Sequence, residues 1–300
     1  MDRPRSHEEL AAFYKEKFKK EQAAAFEILQ LGGVHPDHQE PMSNPYMEGG
    51  MDNENFGNIG EHCIDVGICA DKITTALEST KQIPPDEKHT IVHQAIVHDS
   101  NKRFEVMRRK AQKAGRPLEV YSRSAYETMF SVLQAKGHNE ADLEYLKTAG
   151  RETGHSSLVN FIKMNPDGTV DIRTDRTLAE LIVHAADDMV ASPLKDAKTG
   201  DFITKNTTTK FVTVSERMDL GNFENRYPFL YEEGIAFDEA GNAVEVKSEQ
   251  SAKDKNLRGF KNYAYWQAEA TKLICAKLKD LIARDNPKDP EIFIKELLNS

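Results

Sequence analysis

Apolar residues recurring every three or four positions are what most constrains the fold of this chain. Tyr263, Trp266, Ala270, Ile274, Leu278 and Leu281 share one stripe of a long helix, and Val66, Ile73 and Leu77 share another. Such stripes have to be buried against other elements, so the fold class is mainly α. The second stripe also carries His62, four residues before Val66. A histidine on a core-facing stripe is either hydrogen-bonded inside the core or a ligand, and this helix alone leaves both readings open.

A second helix should start after Ile83-Pro84-Pro85-Asp86, where paired prolines stop one element and open the next. Its apolar run, Ile91-Val92 and Ile96-Val97, delivers His98-Asp99, followed by Lys102-Arg103. An imidazole beside a carboxylate offers two ligand types for a divalent cation, and a cation three residues on suits a phosphate oxygen. Thr174-Asp175 is expected to open a further helix with Leu178, Leu181, Ile182 and Ala185 on its apolar side. Glu180, His184 and Asp187 then fall on one face of it.

Between and around these helices the punctuation is varied. Pro166-Asp167-Gly168 predicts the turn of a small hairpin within 161–173. Short strands are expected at Tyr227-Pro-Phe-Leu-Tyr231 and on either side of an Ala240-Gly-Asn242 turn. Asp289-Pro290-Glu291 should cap a last short helix. Near the start, Ser6-His-Glu-Glu9 has a capping-box pattern opening a helix that Gly32-Gly33 closes. Residues 34–57 read as irregular, with His35 and His38 solvated, and 195–210 as a polar connection.

At 300 residues the chain can bury a sizeable core, and its net charge of -9 argues against a surface that coats nucleic acid. No apolar run approaches the roughly 20 residues that cross a bilayer, and no hydrophobic signal segment is seen, so no membrane association is expected. Cys63, Cys69 and Cys275 lack the close-paired spacing of zinc sites and read as small buried hydrophobes, which fits a cytoplasmic protein.

Three motifs taken in order resemble the HD-domain superfamily of metal-dependent phosphohydrolases. They are Gly60-Glu-His62, Ile96-Val-His98-Asp99-Ser-Asn-Lys102 and Ala186-Asp187-Asp188-Met189. The resemblance covers about residues 58–190. It implies an HD-like helical bundle over 1–192, while the residue patterns add the small hairpin and a C-terminal extension over 193–300 of short strands and a long helix, expected to pack on the same domain. It further implies that His62, His98, Asp99 and Asp187 hold a divalent metal ion (Mn, Mg, Co, Ni or Fe), one ion rather than two. Asp99 would also orient the attacking water, while Lys102 and Arg103 would hold a phosphate oxygen. His155 would contact substrate, support the ligands or bind a second metal, and His138 reads as a surface residue. His184 could orient Asp187 or simply bond a neighbour on the helix face. Asp188 reads as solvent-facing or salt-bridged.

The activity implied is hydrolysis of a phosphoester of a nucleotide or small metabolite. A di-iron oxygenase of HD type and a regulatory binding module with a retained metal site are the alternatives. A small-molecule substrate is the expected partner rather than nucleic acid, and a homo-oligomer is compatible with the sequence.

Overall fold

The structure, a computed structural model, describes residues 8–13, 16, 59–99, 134, 135, 137, 139, 157–194 and 201–300, and the elements below are numbered along those residues. The expected first helix up to Gly32-Gly33 and the loop 34–57 fall almost wholly outside them, apart from helical residues at 8–13. His138 and residues 195–200 lie outside as well.

Helix α1 (Ile59–Ser79) and helix α2 (Pro85–Val97) pack side by side, with Pro85 in the first turn of α2 as the proline pair predicts. A helical turn, α3 (Leu158–Phe161), leads into a hairpin of β1 (Ile162–Met164) and β2 (Val170–Ile172), paired antiparallel with Ile162 opposite Ile172. The hairpin turns at Gly168, whose φ of +87° is open to glycine without a Cβ penalty. Asp167 tightens it by accepting the Thr169 amide at 2.9 Å.

Helix α4 (Leu178–Asp188) starts three residues later than expected. Thr177 is its cap and Glu180 closes a capping box, the Glu180 carboxylate taking the Thr177 amide at 2.7 Å. Thr174 and Asp175 stand outside the helix, where Asp175 pairs with Arg173. Glu180 therefore serves the helix end rather than a site. After α4 come β3 (Val190–Ala191) and its antiparallel partner β4 (Lys210–Phe211).

Helix α5 (Val214–Leu220) precedes two helical turns, α6 (Phe223–Arg226) and α7 (Phe229–Glu232). The strand expected over Tyr227–Tyr231 is thus corrected to helical turns. Its aromatic residues gave a strand-like bias, but Tyr227 instead stacks edge to face on Phe223, with the Arg226 guanidinium 4.8 Å from the Tyr227 ring centroid. A three-stranded antiparallel sheet follows, β5 (Gly234–Phe237) between β6 (Ala243–Val246) and β7 (Arg258–Asn262), with α8 (Glu249–Asp254) in the β6–β7 connection. The β5–β6 turn runs through Gly241 as the sequence predicts.

Asn262 caps the long helix α9 (Tyr263–Ala283), and Asp289 with Pro290 opens α10 (Pro290–Asn299). The buried core joins one stripe from each long helix: Val66, Cys69, Ile73 and Leu77 from α1, Leu181, Ile182 and Ala185 from α4, and Trp266, Ala270, Ile274 and Leu278 from α9. The Trp266 indole N–H donates to the Ile235 carbonyl at 3.1 Å, tying α9 to the sheet. All three cysteines are free and buried. The architecture is mainly helical with small antiparallel sheets. Among the described residues no helix is long and apolar enough to cross a membrane.

Candidate metal centre

The two histidines meet because α1 and α2 approach unusually closely. A Cβ on Gly67 of α1 would lie 2.4 Å from Ile96 Cγ1 of α2, so at this spacing only a hydrogen fits. His62 lies about one and a half turns before Gly67 on α1, and His98 follows the last residue of α2. Their rings stand edge to face with centroids 5.5 Å apart. His62, His98 and Asp99 each offer one ligand atom, and these atoms all lie within 4.8 Å of one another.

Asp187, at the end of α4, lies against both imidazoles but outside that group of three. Its Oδ1 is 3.0 Å from His62 Nε2 and 3.6 Å from His98 Nε2. Asp99 Oδ2 is 3.8 Å from His98 Nε2. Donors held about 2.0–2.2 Å from one ion stand about 3–3.5 Å apart at tetrahedral or octahedral angles, close to these separations.

The hydrogen bonding of His98 bears on what the centre can hold. Its Nδ1 lies 2.7 Å from the Ala95 carbonyl oxygen, which can only accept, so Nδ1 carries a proton. Its Nε2 is buried and has no hydrogen-bond partner among the described residues. Burial opposes charge on this ring, yet Asp99, Asp187 and Cys63 outweigh it and raise the imidazole well above its usual range. The surroundings therefore favour positive charge at Nε2, which a proton or a metal cation supplies. A histidine whose other nitrogen donates to a backbone carbonyl is also the usual arrangement of a metal ligand.

Asp187 has a partner that the sequence did not foreshadow. Arg217 of α5 donates from Nη2 to Asp187 Oδ1 at 3.1 Å, from Nη1 to Asp188 Oδ1 at 3.2 Å and from Nε to the Val190 carbonyl at 3.1 Å. Burial would raise the Asp187 carboxyl, but Arg217, His62 and His98 hold it well below the usual carboxylate range.

Asp188 has no solvent contact, which removes the solvent-facing reading and leaves the salt-bridged one. Gln267 Nε2 and Thr271 Oγ1 of α9 reach it at 2.6 Å and 2.5 Å. His184 Nε2 is 3.3 Å from Asp188 Oδ2, so His184 sits behind Asp188.

On the far side of His62, its Nδ1 is 3.3 Å from Ser192 Oγ, and Ser192 donates to Asp65 Oδ2 at 2.7 Å. Thr209 donates to the same oxygen at 2.8 Å. Ser192, His62 and Asp187 thus stand in an order resembling nucleophile, base and carboxylate. Ser192 is buried, however, and its hydroxyl proton goes to Asp65, so the serine is not presented to a substrate.

Of the residues expected at the site, the structure brings His62, His98, Asp99 and Asp187 together, while Lys102, Arg103 and His155 lie outside the described residues. Sequence reasoning missed Asp65, Ser192, Thr209 and Arg217. Asp65 could have been found, since it lies three residues after His62 on the same helix. The partners across 127 and 144 residues left no local signal. In comparisons with known proteins, no family model, no curated protein and no solved structure matches the chain.

Proposed function

We propose that the chain is a metal-dependent phosphohydrolase of HD type that acts on a phosphoester of a nucleotide or small metabolite. The observation carrying this reading is the convergence of His62, His98 and Asp99, from two separate motifs, with ligand atoms within 4.8 Å of one another. Asp187, from the third motif, stands against both imidazoles. On this reading α1, α2 and α4 are the centre of an HD-type bundle.

The donor set fits a divalent cation. Imidazole nitrogens with carboxylate oxygens suit Mn, Co, Ni or Fe(II), and the carboxylates also accept Mg. His98 Nε2, buried with its other nitrogen committed to Ala95, is already aimed at the space such an ion fills. One ion is proposed. When bound, it supplies a water of lowered pKa and charge to neutralise phosphate oxygens.

The chain's own groups do the rest. His62 and His98 turn Nε2 inward, and Asp187, kept ionised by Arg217, adds negative charge without giving up its orientation. Asp99, only partly buried, orients the water that attacks phosphorus. Lys102 and Arg103 hold phosphate oxygens, and His155 contacts substrate, assignments that rest on the sequence motifs. The buried free cysteines support a cytoplasmic setting.

A panel of phosphoesters assayed with Mn, Co and Mg tests the proposal. Phosphate release that depends on the added ion and falls to background in Asp99→Ala is the expected result. An ion-loaded protein with no turnover across the panel would point instead to a binding module.

A further inference from the structure

We propose that Arg217 is a positioning residue whose guanidinium, carried on α5, sets the orientation of the Asp187 carboxylate at the metal centre. The inference rests on the metal-site reading and adds to it a residue that touches neither ion nor substrate. It starts from an electrostatic conflict at the end of α4. Asp187 and Asp188 are the last two residues of that helix, and its last turn holds no basic residue. A helix C-terminus carries partial negative charge of its own, so adjacent carboxylates there need a cation from elsewhere.

Arg217 supplies that cation in a geometry that does more than neutralise. Nη2 donates to Asp187 Oδ1 at 3.1 Å, Nη1 to Asp188 Oδ1 at 3.2 Å and Nε to the Val190 carbonyl at 3.1 Å. All three nitrogens of the planar guanidinium are engaged, and each direction is fixed by the other two. The acceptors span the end of α4 and the start of β3, so the fork fixes the chain where the helix gives way to the strand. A carboxylate oxygen has more than one lone pair, so Oδ1 can accept from Nη2 and still face His62 Nε2 at 3.0 Å.

The fold in turn holds Arg217. Its side chain is 12% exposed, and its Cζ lies 5.2 Å from the Phe223 ring centroid. Helix α5 opens with a capping box of Thr213 and Glu216, and α10 braces that end. Glu291 Oε1 accepts the Val214 amide at 2.6 Å, and Lys295 donates to Glu216 at 2.7 Å. The Val212 amide donates to the Met189 carbonyl at 2.9 Å, tying the approach to α5 to the residue after Asp188. Lysine could match the charge but not the fork, because one ammonium cannot serve these acceptors in fixed directions. Residues that orient a ligand in this way typically change metal affinity by about 10–100-fold.

The test uses Arg217→Lys and Arg217→Ala, with thermal unfolding to establish folding, calorimetric titration with Co²⁺ and the visible spectrum of the bound ion. Both variants should bind Co²⁺ about 10–100-fold more weakly than the wild type, with altered absorption bands, although Arg217→Lys keeps the charge. Added guanidinium should restore affinity and bands in Arg217→Ala, and ammonium at the same concentration should not. Unchanged affinity and bands in a folded Arg217→Lys overturn the inference. So does rescue by ammonium equal to that by guanidinium, or rescue by neither. Where neither variant folds, the arginine side-chain ¹H–¹⁵N spectrum of the wild type decides. Separately resolved Arg217 Nη protons that shift when Zn²⁺ binds are expected, and a freely rotating guanidinium overturns the inference. A wild type that fails to bind Co²⁺ overturns the metal reading and this inference with it. A wild type that binds Co²⁺, with Arg217→Lys unaffected, overturns this inference alone.

Discussion

Asp188 illustrates at the scale of one residue how the candidate site is braced. Its carboxylate is fully buried and takes hydrogen bonds from Arg217, Gln267 and Thr271. Asp188→Ala would leave the Arg217 charge partly uncompensated in a dry environment and should cost about 3–5 kcal/mol in urea denaturation. Asp188→Asn, which keeps the shape, should cost less; equal losses would mean that the charge is not what matters. A second residue sets a pH dependence. Burial, with His89 nearby, pushes the His93 imidazole down to about 3. The unfolded chain binds that proton near pH 6.5, so between about pH 3 and 6.5 the unfolded state holds more protons than the folded one. The contribution of His93 to stability should therefore fall as pH drops through this window, by up to ~1.4 kcal/mol per pH unit, and stay constant above it. Urea midpoints at roughly pH 7.5 and pH 5 check this, and His93→Gln should remove the slope that His93 contributes.

Among the elements, the α1–α2 contact is the one on which the imidazole pair depends. Gly67→Ala would press a methyl group to 2.4 Å from Ile96 Cγ1, an atom too near the backbone of α2 to swing aside. Overpacking of this kind costs typically 1–3 kcal/mol, and here it should also part His62 from His98. Thermal unfolding and Co²⁺ titration of Gly67→Ala should both register the change; an unaltered metal affinity would show that the helices can yield without moving the rings. These helices were legible in the sequence because their stripes follow a period that burial enforces. The start of α4 was legible too, since only Thr177 has a glutamate three residues on, and the reading from Thr174-Asp175 overlooked it. The helical turns at Tyr227–Tyr231 were not legible. Their conformation comes from aromatic and Arg226 packing, while propensity alone favours strand.

Across the whole molecule, the HD-like motifs end near residue 190, yet the site does not. Thr209, Arg217, Gln267 and Thr271 all come from the segment after 193, and each bonds a carboxylate on α1 or α4. That segment also supplies Trp266, Ile274 and Leu278 to the same core as α1 and α4. The motifs could point to candidate ligands because ligand chemistry restricts residue type. They could not name the partners, because a serine or threonine bonding a carboxylate over a hundred residues away, or an arginine bonding one 30 residues away, has no spacing to read. The account stands on one claim, that the grouped imidazoles and carboxylates bind a divalent ion. Elemental analysis of the purified protein after exposure to Mn, Co and Mg tests it most directly. One tightly held ion per chain, lost in folded His98→Ala and Asp99→Ala, is the predicted result. A wild-type protein that retains no ion, or a His62→Ala/His98→Ala protein that still holds one, would contradict it.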